Sequence, residues 1–315
     1  MTGKIVSKWL RIAATVLLAV LLLHLAMRGV NFSETWHILQ GIRWYYLAAA
    51  LALNFISPLV RAWRWRELFD GEAPGFWLLV RAVATGQTLN LTVPFRTGEV
   101  ARVFMIDRRK LDTAGTVAIE KLMDAGFFAA LCLLLPFLWV VPKWLEKPRL
   151  SVIAMAGVYL IVVGLIAIAL RITRFPRFIR IPPIKKVPFL FVTTLVIGVS
   201  GVVVNDLVIL CLGIQTRFMA AVVLLVILQV GVAVPSTPGK VGVFQYLSVL
   251  GLSLFGVANA SGLAFGLLMH LLVFLPTATI AAVFLLLAKR DDLRTPRAFK
   301  ANRKDRNDLE EKEML

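Results

Sequence analysis

The sequence predicts an all-α polytopic membrane protein, with about six full transmembrane helices and two re-entrant helical hairpins in an inverted-repeat-like arrangement. Three observations predict it. Hydrophobic residues make up 59% of the 315-residue chain and its mean hydropathy is +0.82, whereas soluble domains are nearer half apolar. Several apolar runs approach or exceed the roughly 20 helical residues that cross a bilayer. Basic residues collect at the ends of those runs, as expected of cytoplasmic flanks. A transmembrane β-barrel would show short alternating segments instead.

The net charge of +17 would suggest nucleic acid in a soluble protein. Here the basic residues border apolar runs, so the charge reads as topology and as attraction to anionic lipid headgroups, with no nucleic-acid partner. Cys132 and Cys211 both lie inside apolar runs, which argues against a disulfide framework or a zinc site. The N-terminus carries Lys4, Lys8 and Arg11 ahead of an apolar stretch, with no small-residue cleavage site, so it reads as a first membrane helix.

Six segments have the length and composition of full spans: 10–28, 44–62, 115–141, 150–170, 188–212 and 262–288. Residues 1–288 therefore form the membrane domain, and the charged tail 289–315 is expected to be cytoplasmic and disordered. Basic residues place both termini, the 61–66 loop, 102–110 and 171–186 on the cytoplasmic side. Arg61, Arg64, Trp63 and Trp65 read as an interfacial anchor.

Regions 76–107 and 217–258 fit a simple count of spans less well. Both flanks of 76–107 are basic, so it should enter the membrane and return, with limbs 77–93 and 98–107. Residues 217–258 hold two short apolar limbs, 219–234 and 243–257, that would dip from the opposite face. Non-helical backbone at membrane depth is tolerated where it is buried in protein or lines a wet cavity. Two broken hairpins entering from opposite faces is the pattern of an inverted-repeat transporter. The alternative is eight simple spans, which would leave the basic 102–110 stretch outside.

Three constellations could carry chemistry. The first is PFRTGEVAR, with Pro94, Arg96, Gly98, Glu99 and Arg102. Proline stops the preceding helix and Gly98 frees the backbone. Glu99 and Arg102 share a face if the second limb is helical. A guanidinium matches a phosphate bidentately, and a neighbouring carboxylate holds it in place. The second is EKLMD, where Glu120 and Asp124 share one helix face beside Lys121. It reads as an ion-pair network with Arg96 or Arg102, as a proton-titrating site, or as a solvated helix start.

The third is VPSTPGKVGVFQY, where Pro235 and Pro238 end one limb, and Gly239 and Gly242 let the backbone turn. A helix N-terminus near Val241, with Lys240 beside it, would favour an anion. The plain alternative is a loop of turn residues. Asn205 and Asp206 lie mid-span, either as a functional site or as structural hydrogen bonds. His270 reads as a packed side chain. No catalytic His/Cys/Ser set, metal spacing or nucleotide loop is evident, so neither cofactor nor metal is expected.

The order RAWRWRELF, PFRTGEVARVFMI, AIEKLMDAGFFAALCLL and VPSTPGKVGVFQY resembles the lysylphosphatidylglycerol-synthase transmembrane-region family, also called flippase-like or UPF0104 membrane proteins. The resemblance covers about residues 10–288 and implies the stand-alone membrane module, with lipid transport in a bacterial inner membrane. The family's Gly-Glu motif falls on Pro94, Arg96, Gly98, Glu99 and Arg102, and its Glu-Arg-x-x-Asp motif on Glu120 and Asp124. Lys121 stands at the second motif's arginine, which keeps the charge and loses the bidentate fork. In the third motif Lys240 stands at a glycine and Gln245 at a glutamate, which makes the site more positive and argues against a proton-linked glutamate.

These readings imply a non-enzymatic translocator of an anionic phospholipid or a polyprenyl-phosphate-linked lipid. Arg96, Arg102 and Lys240 would hold the headgroup near the midplane, and Glu99, Glu120 and Asp124 would position the arginines. A scaffold for a separate lipid-modifying enzyme, or an intramembrane lipid transferase, are the other readings.

Overall fold

The computed structural model describes residues 30–93, 97–106, 110–138, 182–233, 240 and 242–294, together with 21, 24, 25 and 27. The expected span 150–170 lies outside the described residues, as does 10–28 apart from those four positions. Among the described residues the chain forms nine α-helices and no strand. They are α1 (Phe32–Gln40), α2 (Trp44–Glu67), α3 (Phe76–Thr92), α4 (Thr97–Met105), α5 (Lys110–Leu138), α6 (Val187–Cys211), α7 (Met219–Ala233), α8 (Val243–Ser253) and α9 (Asn259–Arg294). A multi-pass membrane protein is the consequence of three of them, since α2, α6 and α9 are long and apolar enough to cross a bilayer.

Local chemistry explains the ends. The Asn31 side chain starts α1 by accepting from the Ser33 and Glu34 amides at 3.0 and 3.3 Å. This short helix was not expected, although Asn31 followed by Glu34 is a capping pattern. Pro188 stands in the first turn of α6, where its missing N–H does no harm. Gly242 caps α8 at a φ of 86°, a conformation that glycine adopts without strain.

Helix α2 runs through to Glu67, so the stretch 61–66 is helix and not the expected loop. Helix α9 runs past residue 288, the expected end of the membrane domain, to Arg294. The limbs expected at 77–93 and 98–107 are α3 and α4, and those at 219–234 and 243–257 are α7 and α8. The two members of each pair lie against each other.

The order long helix, helical hairpin, long helix occurs twice, as α2, α3–α4, α5 and again as α6, α7–α8, α9. Each set contributes its own core. Ala62, Trp65, Leu79, Val83, Ile106 and Val117 fill the first, joined by Leu190 from α6. Val208, Leu224, Leu252, Phe265 and Leu272 fill the second, joined by Ala50 from α2. Helices α2 and α6 pack together and connect the two sets.

In lipid, burying apolar side chains gives little drive for helix association, so close approach matters more. Gly262 and Gly266 of α9 seat α8 in this way. A Cβ at either position would lie 2.8 Å from a backbone Cα, that of Val249 or of Gln245.

Candidate functional site

A buried ion-pair network sits beside the first hairpin. Its base is α5, which projects Glu120 and Asp124 from one face. Arg102 of α4 meets Glu120 with both arms of its fork. Nη1 donates to Oε1 at 3.2 Å, and Nη2 donates to Oε2. The same guanidinium stacks on the Trp65 ring, 4.1 Å from its centroid. Trp65 is held in turn, since its indole N–H donates to Thr116 Oγ1 at 2.8 Å. Cation–π stacking of this kind contributes about 0.5–2 kcal/mol, more when desolvated.

Arg64 fills the centre and is fully buried. Its Nη2 lies 2.7 Å from Asp124 and 3.6 Å from Glu120. Its Nη1 donates to Thr194 Oγ1 of α6 at 3.0 Å, and that hydroxyl donates to the Leu190 carbonyl. Arg61 closes the outer end, with Nη1 donating to Asp124 Oδ2 at 3.3 Å. The network thus ties α2, α4, α5 and α6 together. Isolated charges in such a place would be untenable, because desolvation costs several kcal/mol per ion and only close pairing with full hydrogen bonding offsets it.

The network is off-centre along the helices. At about 1.5 Å of rise per residue, Arg64 lies about 5 Å from the end of α2 and Thr194 about 10 Å from the start of α6. Glu120 lies about 15 Å from the start of α5 on the same scale. The cluster therefore sits toward the end of the helices that carries the α2–α3 connection.

Of the expected partnership with Arg102, the Glu120 half is present, whereas Asp124 pairs with Arg61 and Arg64 of α2 instead. Glu99 and Lys121 pair across α4 and α5 at 3.7 Å, half-buried at the edge of the cluster. Gly98 lies in the α3–α4 contact, with its N–H donating to Asn90 Oδ1 at 2.9 Å. Pro94, Arg96, Pro235, Pro238 and Gly239 lie outside the described residues.

Arg61, Arg64 and Trp65 correct the interfacial-anchor reading. Because α2 continues to Glu67, all three turn onto its inward face, while Trp63 stays exposed as an anchor should. Sequence reasoning also missed Thr116 and Thr194. The signal for the arginines was present, since positions 61, 64 and 65 stand three and four apart on a continued helix.

Lys240 belongs to the second hairpin. It is buried and left-handed, with a φ of 53°. Helix α8 begins at Val243, where the expected limb starts and two residues past the N-terminus read near Val241, and its end is not open to an anion at Gly242. Gln245 Oε1 accepts the Gly242 N–H at 2.8 Å and caps the helix from within. Gln245→Ala should lower stability by about 0.5–2 kcal/mol, read as a fall in the thermal midpoint in detergent, whereas Gln245→Glu should keep the cap. His270 is packed as expected, its ring 5.3 Å from that of Phe244. Asn205 takes the structural role, with Nδ2 donating to the Ala221 carbonyl of α7 at 3.1 Å.

Both cysteines are free and buried. Among the described residues no group of three His, Cys, Asp or Glu could hold a metal ion. A comparison with curated proteins finds no match. Residues 11–281, most of the chain, match the family described as lysylphosphatidylglycerol synthase TM region, and this multi-pass membrane protein belongs to that family.

Proposed function

We propose that this protein is a non-enzymatic lipid translocator of a bacterial inner membrane, with both termini in the cytoplasm. Its cargo is an anionic phospholipid or a polyprenyl-phosphate-linked lipid. One observation carries the reading: Arg64, Arg102 and Glu120 are buried, with Arg61 and Asp124 half-buried against them, as one network beside a helical hairpin within an apolar bundle. Ionisable groups at membrane depth are expensive and mark ion or substrate paths. Arginine is suited to a phosphate because its fork matches two oxygens and stays charged.

In this reading each hairpin dips into the membrane from its own face and returns. Beside the first, an arginine of the network exchanges a carboxylate partner for a headgroup phosphate. The acyl or prenyl chains stay in lipid, and the polar path spares the headgroup the free energy of crossing hydrocarbon unpaired.

The test is purified protein in liposomes with a trace of fluorescent phosphatidylglycerol, probed with a membrane-impermeant quencher. Wild type should expose label beyond the outer-leaflet share. Arg102→Lys keeps the charge and loses the fork, and should slow the exchange at least tenfold. Wild-type liposomes that never exceed the outer-leaflet share, with phosphatidylglycerol and with a polyprenyl phosphate, would rule translocation out.

A further inference from the structure

The network is graded from a closed end to an open one. Side-chain exposure is 0% at Arg64, 1% at Glu120 and 5% at Arg102, then 18% at Asp124 and 20% at Arg61. The contacts are graded in the same direction. Arg102 and Glu120 share two hydrogen bonds at the closed end. Arg61 and Asp124 share a single one, at 3.3 Å, at the open end. The donors are also left in surplus. Arg61, Arg64 and Arg102 each bury an Nε–H that has no acceptor among the described residues.

Charge defines what would complete the set. Three guanidiniums against two carboxylates leave one positive charge (+3 − 2 = +1). The adjoining Lys121–Glu99 pair adds no net charge. One monoanion neutralises the network, whereas a dianion leaves it negative in a place where unpaired charge is costly. A phosphodiester carries one negative charge and offers two unesterified oxygens to a guanidinium fork.

We infer that Arg61 is the headgroup-receiving residue, that Asp124 is the partner it gives up, and that the site takes one phosphodiester monoanion of a lipid headgroup. The Arg102–Glu120 pair stays closed and serves as the fixed base. The inference rests on the translocation reading for the step after binding, and it chooses within that reading a phospholipid phosphodiester over a prenyl phosphate monoester. No bond is made or broken. Asp124 exchanges one guanidinium contact and keeps the other, to Arg64.

The test reads binding apart from transport. The full chain in detergent is heated with short-chain phosphatidylglycerol, phosphatidylcholine or phosphatidic acid, or with inorganic phosphate, all at one concentration. Phosphatidylglycerol should raise the thermal midpoint most, with inorganic phosphate without effect. Arg61→Gln should abolish that shift, Arg61→Lys should weaken its half-saturation about tenfold, and Asp124→Asn should strengthen it by freeing Arg61. Should Arg61→Gln not fold, Arg61→Lys decides on its own.

Wild-type affinity in the Arg61 variants would overturn the inference. So would equal shifts with phosphatidylcholine, or a shift with inorganic phosphate as large as with the lipid. Transport that survives Arg61→Gln would sink this inference and leave translocation standing. Headgroup-specific binding without any transport would do the reverse.

Discussion

Glu120→Ala should be among the most destabilising single substitutions in the chain, lowering stability by about 3–5 kcal/mol, the range for removing one partner of a buried ion pair. The reason is the pair of charges left behind. Glu120 is 1% exposed and faces two guanidiniums, with Arg102 at hydrogen-bond distance and Arg64 at 3.6 Å. Without it, among the described residues Arg102 keeps only the face of Trp65, and Arg64 keeps only Asp124 and Thr194.

The double variant Arg102→Met with Glu120→Leu should recover much of that loss, since an apolar pair of similar volume often matches a buried ion pair in stability. The coupling between the two positions should fall in the upper part of the roughly 0.5–3 kcal/mol seen for residues in contact. Translocation should stay absent in the double variant although the fold returns, because the fixed base is gone. Helicity and unfolding midpoint in detergent give the stability, and the liposome assay gives the transport. A single variant within about 1 kcal/mol of wild type, inside the ordinary spread of point mutants, would mean that the charge is not buried as the geometry has it.

The parts of this arrangement that rest on local rules were legible in the sequence. Apolar runs and flanking charges gave α2, α6 and α9, and the breaks at Pro94 and Pro235 marked where α3 gives way to α4 and α7 to α8, to within a few residues. The pairing of Glu120 with Arg102 was also within reach, because acids four apart at a membrane boundary require a partner.

The contribution of α2 was misread for a definite reason. An arginine near the end of an apolar run ordinarily snorkels to the interface. That expectation competes with the helix continuing to Glu67, and only tertiary packing decides between them. Thr194 carries no signal at all: it is an ordinary threonine in an apolar helix, until Arg64 comes to rest against it. The second half of the chain repeats the order of helices but not the chemistry. Asn205 binds a backbone carbonyl where the first half holds charges, so the repeat predicts architecture and leaves function to individual side chains.

Gly98→Ala should separate α3 from α4, and its effect should be opposite in sign to that of the same change at Gly126. Within a helix, glycine to alanine is ordinarily favourable by up to about 1 kcal/mol. Gly126 in α5 fits that case, since a Cβ there would meet nothing within 4 Å. Gly98 does not. Its Cβ would overlap the Gly86 carbonyl oxygen and come within 2.7 Å of Asn90 Oδ1, the atom that accepts the Gly98 N–H. The Gly86 oxygen is backbone and cannot swing aside, and the Asn90 side chain is held by the hydrogen bond it accepts from the Gly98 N–H. The helices must part, and the misfit reaches further because Arg102 lies over the same contact. A Cβ at Gly86 would fall 2.7 Å from Arg102 Cγ. Overpacking at well-fitted sites costs about 1–3 kcal/mol and occasionally more, and here the loss should lie at or above the top of that range, since backbone must move and the Arg102–Glu120 contact moves with it. Thermal midpoints of the two variants in one detergent decide the matter. Gly126→Ala should hold or raise the midpoint, and Gly98→Ala should lower it and abolish translocation. A Gly98→Ala protein as stable as wild type would show that α3 and α4 do not meet at these glycines, and with that the hairpin would lose its role in placing Arg102.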